Sequence, residues 1–247
     1  MKIVASIEAR MKSSRLPGKV MFKVCEKTIL EHIIDRALQS LKITDVIVAT
    51  TVSKEDDPIE KLCNDIGIPC FRGSEEDVLD RVSKAHQWFN TDIVVQLTGD
   101  SPFLDWKTID KTIELFESSS VDYVSNTLNR TYPIGIRSQV YSLDFIKKIN
   151  LLKLEKRDRE YVTTHICRNA EEKYSLKNIS AHKAVAYPKM RLTLDYPEDF
   201  SVVKKIYENL YQDCQYFSLE DVVNFLLNNK EILNINENCV HFYKEGA

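Results

Sequence analysis

Glycine and proline are scarce in this chain of 247 residues, at 6 and 7. With so few positions at which the backbone turns left-handed or approaches a ligand closely, each glycine carries information. Both glycine signatures of common nucleotide sites are missing. There is no G-x-G-x-x-G, and Pro17-Gly18-Lys19 lacks the upstream glycine and the following Ser or Thr of a P-loop. The six cysteines (Cys25, Cys63, Cys70, Cys167, Cys214, Cys239) contain no C-x-x-C pair, which removes the usual zinc and dithiol motifs and predicts reduced thiols. No apolar run approaches the roughly 18 residues of a membrane span. "MKIVASIEAR" meets charge too early for a signal peptide. A cytoplasmic protein with no membrane partner is therefore expected. Lys+Arg 34 against Asp+Glu 37 leaves a net charge of −3, so no overall positive field gathers nucleic acid, and no nucleic-acid partner is expected.

What is present alternates. "KIVASI" (2–7), "DVIVAT" (45–50) and "DIVVQL" (92–97) are apolar on both faces, as strands of a covered parallel sheet are. Between them lie helical patterns at 28–41, 56–68 and 75–89, the second with Asp57 as N-cap, Pro58 in the first turn and Gly67 as stop. Further on, a helix is expected at 105–118, a strand at 122–126, and a turn at Pro133–Gly135 leading into another strand. Helix is expected over 143–169, a strand over 174–180, and a strand, turn and helix over 190–210, with a last helix at 219–229. The fold class is α/β with a mostly parallel central sheet flanked by helices. With no Gly/Ser linker, repeat or low-complexity tract, residues 1–247 read as one domain carrying a sub-structure.

Three clusters carry chemistry. The opening loop "IEARMKSSRLPGKV" (7–20) holds Arg10, Arg15 and Lys19 with Ser13 and Ser14, a supply of cations and N–H donors suited to a polyphosphate; a merely solvated basic loop is the alternative. In "QLTGDSPFLD" (96–105), Asp100 follows Gly99 directly after a buried strand, at the edge where open α/β sheets bind ligands. In "RLTLDYPEDF" (191–200), Asp195 follows a predicted strand, and Glu198 and Asp199 suit the start of a helix. Asp100 and Asp195 together make a seat for Mg²⁺; Asp195 as a helix N-cap is the structural alternative. None of His32, His86, His165, His182 and His241 falls in these clusters, and most are expected on the surface or on helix faces.

"ARMKSSRLPGK", "FRGSEEDVLDR", "LTGDSPFLD", "DYVSNT" and "RLTLDYPEDF" occur in the order found in the spore coat polysaccharide biosynthesis protein F family, homologues of CMP-KDO synthetase and CMP-sialic acid synthetases, which the chain resembles over roughly residues 2 to 210. The resemblance implies a nucleotide-diphospho-sugar transferase fold of GT-A-like, Rossmann-like type, a cytidylyltransferase activity, a nucleoside triphosphate with CTP favoured, a sugar or sugar-acid acceptor, Mg²⁺, and a homodimer. Carried over by position, it places Arg10, Ser13, Arg15 and Lys19 on the triphosphate, and Ser74 and Asp77 beside the nucleoside. Thr98 and Gly99 fall at the nucleotide, and Asp100 and Asp195 on the metal. Lys19, Arg10 and Asp100 are the implied catalytic residues, and 130–185 the implied acceptor-binding and dimerisation sub-structure. The chain departs from the family pattern at Lys12, where Gly is usual, at Glu8, where Gln is common, and at Arg137 and Gln139, where many relatives carry D-x-E on the sugar side. Arg137 suggests an anionic acceptor, with a surface arginine that makes no contact as the alternative. The rival readings are a GTP- or UTP-dependent sugar 1-phosphate nucleotidyltransferase, a glycosyltransferase of the same fold, and a non-catalytic nucleotide sensor. A glycosyltransferase would be expected to carry D-x-D after the central strand, where this chain has Gly99-Asp100-Ser101-Pro102.

Overall fold

The computed structural model describes residues 1–169, 173–212 and 214–240. Its centre is a seven-stranded sheet of β1 (Ile3–Glu8), β4 (Asp45–Thr51), β5 (Cys70–Gly73), β6 (Ile93–Thr98), β7 (Tyr123–Ser125), β8 (Gln139–Ser142) and β9 (Leu176–Asn178). The strands lie in the order β5-β4-β1-β6-β8-β7-β9. β8 alone runs against its neighbours, β6 and β7; the remaining pairs are parallel. A small hairpin of β2 (Lys23–Val24) and β3 (Lys27–Thr28) stands apart and leads into α1 (Ile29–Ala37). Thr28 and Glu31 close a capping box there.

The first half folds as the apolar runs predict. α2 (Asp57–Asp65), α3 (Val78–Trp88) and α4 (Trp106–Glu117) follow their strands with short connections. One face of the sheet (Ala5, Ile7, Val48, Val95, Leu97, Val140) packs on α1, α4 and the helices Pro197–Leu210 and Leu219–Asn228. The other face packs on α3, α5 (Leu143–Asn150) and α7 (Val162–Arg168) through Leu79, Val82, Val94, Tyr141, Ile146 and Ile166. On that second face the registers align Ser6, Gln96, Gln139 and Ser125 in one row across four strands, with Glu8 two residues beyond Ser6. The sheet thus turns polar towards the carboxyl edge of its parallel strands.

Three expectations need correction. Residues 143–169 are not one helical stretch, because α5 ends at Asn150 and α6 (Lys156–Glu160) restarts after a break. Asn150 is spent on tertiary partners: its Oδ1 accepts from Arg159 at 2.7 Å and its Nδ2 donates to Asp80 at 3.3 Å. Residues 190–195 form no strand beyond one bridge between Ile134 and Arg191. That bridge uses Leu192 N on Ile134 O, while Leu194 N goes to the loop carbonyl of Asp100. Asp57 opens α2 as its first residue and does not cap it; the preceding Asp56 is buried and turned inward. His32 and His86 lie in the core at 2% and 0% exposure. His182 is exposed, His165 partly buried, and His241 lies outside the described residues.

Candidate active site

The ends of β1 and β6, the start of β8, α3 and the α6–α7 pair surround a cavity of about 330 Å³. Arg10, Ser13, Arg15, Lys19, Thr98, Gly99, Asp100, Arg137, Gln139 and Asp195, all singled out by the sequence, line it. Ser74 and Asp77 do not. Asp77 caps α3 by accepting from Asp80 N at 2.9 Å and pairs with Arg159 at 2.5 Å. Ser74 accepts from Asp77 N through its hydroxyl, at 3.1 Å, and from Arg81 through its carbonyl. Their neighbours Val78 and Arg81 reach the cavity in their place.

The opening loop closes on itself and is tied down from outside. Gly18, at φ +71°, donates to Met11 O at 2.8 Å. The Ser13 hydroxyl accepts from Leu16 N at 3.3 Å. Asp56, 2% exposed, takes Met11 N on one carboxylate oxygen at 2.7 Å and the backbone and hydroxyl of Thr51 on the other. A buried acid thus moors the loop to the end of β4, a role that only its burial discloses.

Lys19 sits between the two aspartates. Its ammonium donates to Asp195 Oδ1 at 2.9 Å and Leu194 O at 2.6 Å, and lies 3.9 Å from Asp100 Oδ2. Arg15 reaches the same Asp195 oxygen at 2.8 Å. Burial would raise the Asp195 carboxyl, but Lys19 and Arg15 outweigh it and hold it below the ordinary carboxylate range. Asp100 accepts from the Thr98 hydroxyl at 2.6 Å. The backbone around both acids is welded together: Asp100 O takes Leu194 N at 2.9 Å and the Thr193 hydroxyl at 3.1 Å. Gly135, at φ +101°, lies where an added Cβ would come within 2.5 Å of Thr193 N. Below Asp195, the carboxylate of Asp199 is fully buried and receives five donors. Arg191 Nε and Asn236 Nδ2 reach Oδ1 at 2.7 and 2.8 Å, while Arg191 Nη2, Asp195 N and Tyr196 N reach Oδ2 at 2.8, 2.9 and 3.0 Å. The helix that begins at Pro197 is therefore capped from inside by Asp199, not by Asp195.

Glu8, a departure from the family pattern in the sequence, also lines the cavity. Burial pushes its carboxyl up to about 7 against the pull of Arg81, Gln96 and Arg137. Glu160 of α6, Tyr161 between the two helices, and Thr163, Thr164 and Cys167 of α7 form the opposite wall. No helix among the described residues is long and apolar enough to cross a membrane.

The chain is 35% identical over 211 residues to the spore coat polysaccharide biosynthesis protein SpsF of Bacillus subtilis, covering 83% of this chain and 86% of that one. It is 33% identical over 132 residues to a 3-deoxy-manno-octulosonate cytidylyltransferase of Christiangramia forsetii, covering 53% and 52%. The solved structure of a cytidylyltransferase from Leptospira borgpetersenii superposes with a TM-score of 0.89 at 28% identity, over 98% of this chain and 100% of that one. With the cytidylyltransferase family description matching residues 4–232, around a cavity that sets three basic side chains against two aspartates at the carboxyl edge of a mostly parallel sheet, the chain belongs to the cytidylyltransferases and is an enzyme of nucleotidyl transfer.

Proposed function

We propose that the protein transfers CMP from CTP to a hydroxyl of a sugar or sugar acid, releasing pyrophosphate, in the synthesis of a surface-polysaccharide precursor. One observation carries this reading: Arg10, Arg15 and Lys19 converge from one short loop onto the cavity edge where Asp100 and Asp195 lie. Three fixed cations suit a triphosphate better than a single phosphate. The relatives named for spore coat polysaccharide and for 3-deoxy-manno-octulosonate support the acceptor class. A homodimer through residues 130–185 belongs to the same reading; Leu151, Leu152 and Tyr161 are exposed there.

The two aspartates fit a divalent cation. Both carboxylates approach one point already held by a positive charge, the Lys19 ammonium, at 2.9 and 3.9 Å. No third His, Cys, Asp or Glu joins them among the described residues. That set suits Mg²⁺, which takes one or two carboxylates and fills its remaining positions with water and phosphate oxygens. When bound, the ion would polarise the phosphoryl oxygens and neutralise charge. The protein's own part is positioning. Arg10, Arg15 and Lys19 hold the phosphates and stabilise the departing pyrophosphate, and the rigid join between Asp100 and residues 193–195 keeps both carboxylates in register. Arg137 and Gln139 lie on the acceptor side.

The test is thermal unfolding with CTP, GTP, UTP or ATP, each with and without Mg²⁺. A ligand at 100 times its Kd adds about 2.7 kcal/mol, or roughly 5–10 °C for a chain of this length. A Mg²⁺-dependent rise with CTP alone is expected, followed by pyrophosphate release with a sugar acid such as 3-deoxy-manno-octulosonate. Asp100→Asn should keep the unfolding midpoint and lose about 10²–10³ in rate, by analogy with the loss of one electrostatic group elsewhere. A rise only with a finished nucleotide sugar would transfer the assignment to a glycosyltransferase.

A further inference from the structure

Beneath the α3 and α7 layer the sheet carries hydrogen-bonding side chains where a packed core would be apolar. The Tyr141 hydroxyl donates to Gln96 Oε1 at 2.7 Å, which turns the amide so that Gln96 Nε2 donates to Glu8 Oε1 at 2.5 Å. This relay fixes the Glu8 carboxyl at the cavity wall, and one of its several acceptor positions is used by Gln96. Two strands away, Gln139 is 2% exposed and lines the same cavity. Its Oε1 is buried without a hydrogen-bond partner among the described residues. A buried acceptor left unpaired is costly, and a donor from a bound molecule removes the cost.

Resting on the reading of a cytidylyltransferase with a sugar-type acceptor, we propose that Glu8 and Gln139 are the residues that read the acceptor's hydroxyl groups, each taking a hydroxyl hydrogen, and that Glu8 sets which acceptor is used. Their strands, β1 and β8, flank β6, so their backbones stand about 10 Å apart, wide enough to bracket a polyhydroxylated body and too wide for a single hydroxyl. Arg81 and Arg137 act on Glu8 from the same region, which favours neutral hydroxyls over an ammonium group. Glu8 also stands at the join with the triphosphate loop: its carbonyl takes Gly99 N at 2.9 Å, and Arg10 follows two residues later. An acceptor held by Glu8 is therefore referenced to the backbone that places the phosphates.

The experiment follows pyrophosphate release with CTP and Mg²⁺ against 3-deoxy-manno-octulosonate, a panel of polyhydroxy sugar acids and hexoses, and monodeoxy analogues of the best of them. CTP binding is measured separately by calorimetry. Glu8→Ala should lower kcat/KM for the preferred acceptor about 10- to 100-fold. The KM for CTP should stay unchanged, and in this variant one monodeoxy analogue should be used as well as its parent. Glu8→Gln should recover only part of the loss, because its single carbonyl must serve both Gln96 and the acceptor hydroxyl. Gln139→Met gives an opposed pair of effects: it should raise the unfolding midpoint by removing the orphaned carbonyl while lowering acceptor use, whereas a purely structural glutamine would lower both. Equal losses for the parent and every deoxy analogue, a changed KM for CTP, or a wild-type protein that binds CTP yet uses none of the panel would each overturn the proposal. Failure of the wild type to bind CTP at all would instead overturn the nucleotide reading beneath it.

Discussion

The carboxylate of Asp199 is the point at which a small change should cost most. Five donors converge on its two oxygens, at 2.7 to 3.0 Å, and neither it nor Arg191 is more than 5% exposed. Asp199→Asn keeps the shape and replaces one oxygen with a donor. With the amide nitrogen at the Oδ1 position, Arg191 Nε and Asn236 Nδ2 lose their acceptor; in the other orientation Arg191 Nη2 and the amides of Asp195 and Tyr196 lose theirs. Either way the buried guanidinium loses its bidentate counter-charge and keeps only the more distant Asp195 carboxylate, at 3.7 Å. Breaking a buried pair by removing one partner costs about 3–5 kcal/mol. For a chain of this length that corresponds to a midpoint lower by roughly 6–20 °C. The assay is thermal unfolding by circular dichroism at neutral pH, with Arg191→Met and the double variant completing a cycle. The double variant should be much less damaged than the sum of the singles, with a coupling above about 1 kcal/mol. A midpoint within 3 °C of the wild type, or strict additivity, would refute the reasoning.

Two further outcomes are expected. Burial lowers His86 to about 3, against 6.5 as the ordinary value; the unfolded chain therefore binds the extra proton between those values, and the folded state loses stability as pH falls from about 6.5 towards 3. Near pH 5 the loss from this group is about 2 kcal/mol, so the urea midpoints of the wild type and His86→Gln should converge between pH 7 and 5; a constant gap would count against it. Gly135→Ala puts a Cβ within 2.5 Å of Thr193 N at a φ of +101°. Strain of about 1–3 kcal/mol plus the overlap should lower the midpoint by several degrees, and wild-type stability in that variant would show that residues 192–193 give way easily.

The parts of the fold visible in the sequence are those with local causes. β1, β4 and β6 are covered on both faces and read as unbroken apolar runs, and the opening loop announces itself by packing Arg10, Arg15 and Lys19 into one turn of chain. What stays hidden depends on partners far along the chain. Lys19 meets Leu194 across 175 positions, and Arg191 and Asp199 are completed by Asn236. Asp56 and Asp199 look like ordinary helix-start acids until burial shows one mooring a loop and the other gathering five donors. The break after Asn150 is equally non-local: "LLKLEK" has good helix formers, yet at the break Arg159 takes the Asn150 carbonyl and its side chain, and Asp80 takes the side chain as well. The polar row through Ser6, Gln96, Gln139 and Ser125 appears only once the registers of four strands are known.

The reversed direction of β8 has a bearing on how such enzymes diversify. Because β8 enters the sheet from the edge at which its parallel neighbours end, the wall facing Glu8 comes from one unbroken length of chain, from Thr127 through Arg137 and Gln139 to Cys167. The phosphate wall is scattered over three separate segments that interlock through Asp100, Lys19 and residues 193–195. Inheritance can therefore exchange the first as a cassette, by a single recombination event or a grafted segment, while the second changes only by concerted substitutions. Chimeras that swap residues 127–167 between relatives that both carry glutamate at the position of Glu8 should carry the rest of acceptor preference with the insert and nucleotide preference with the host.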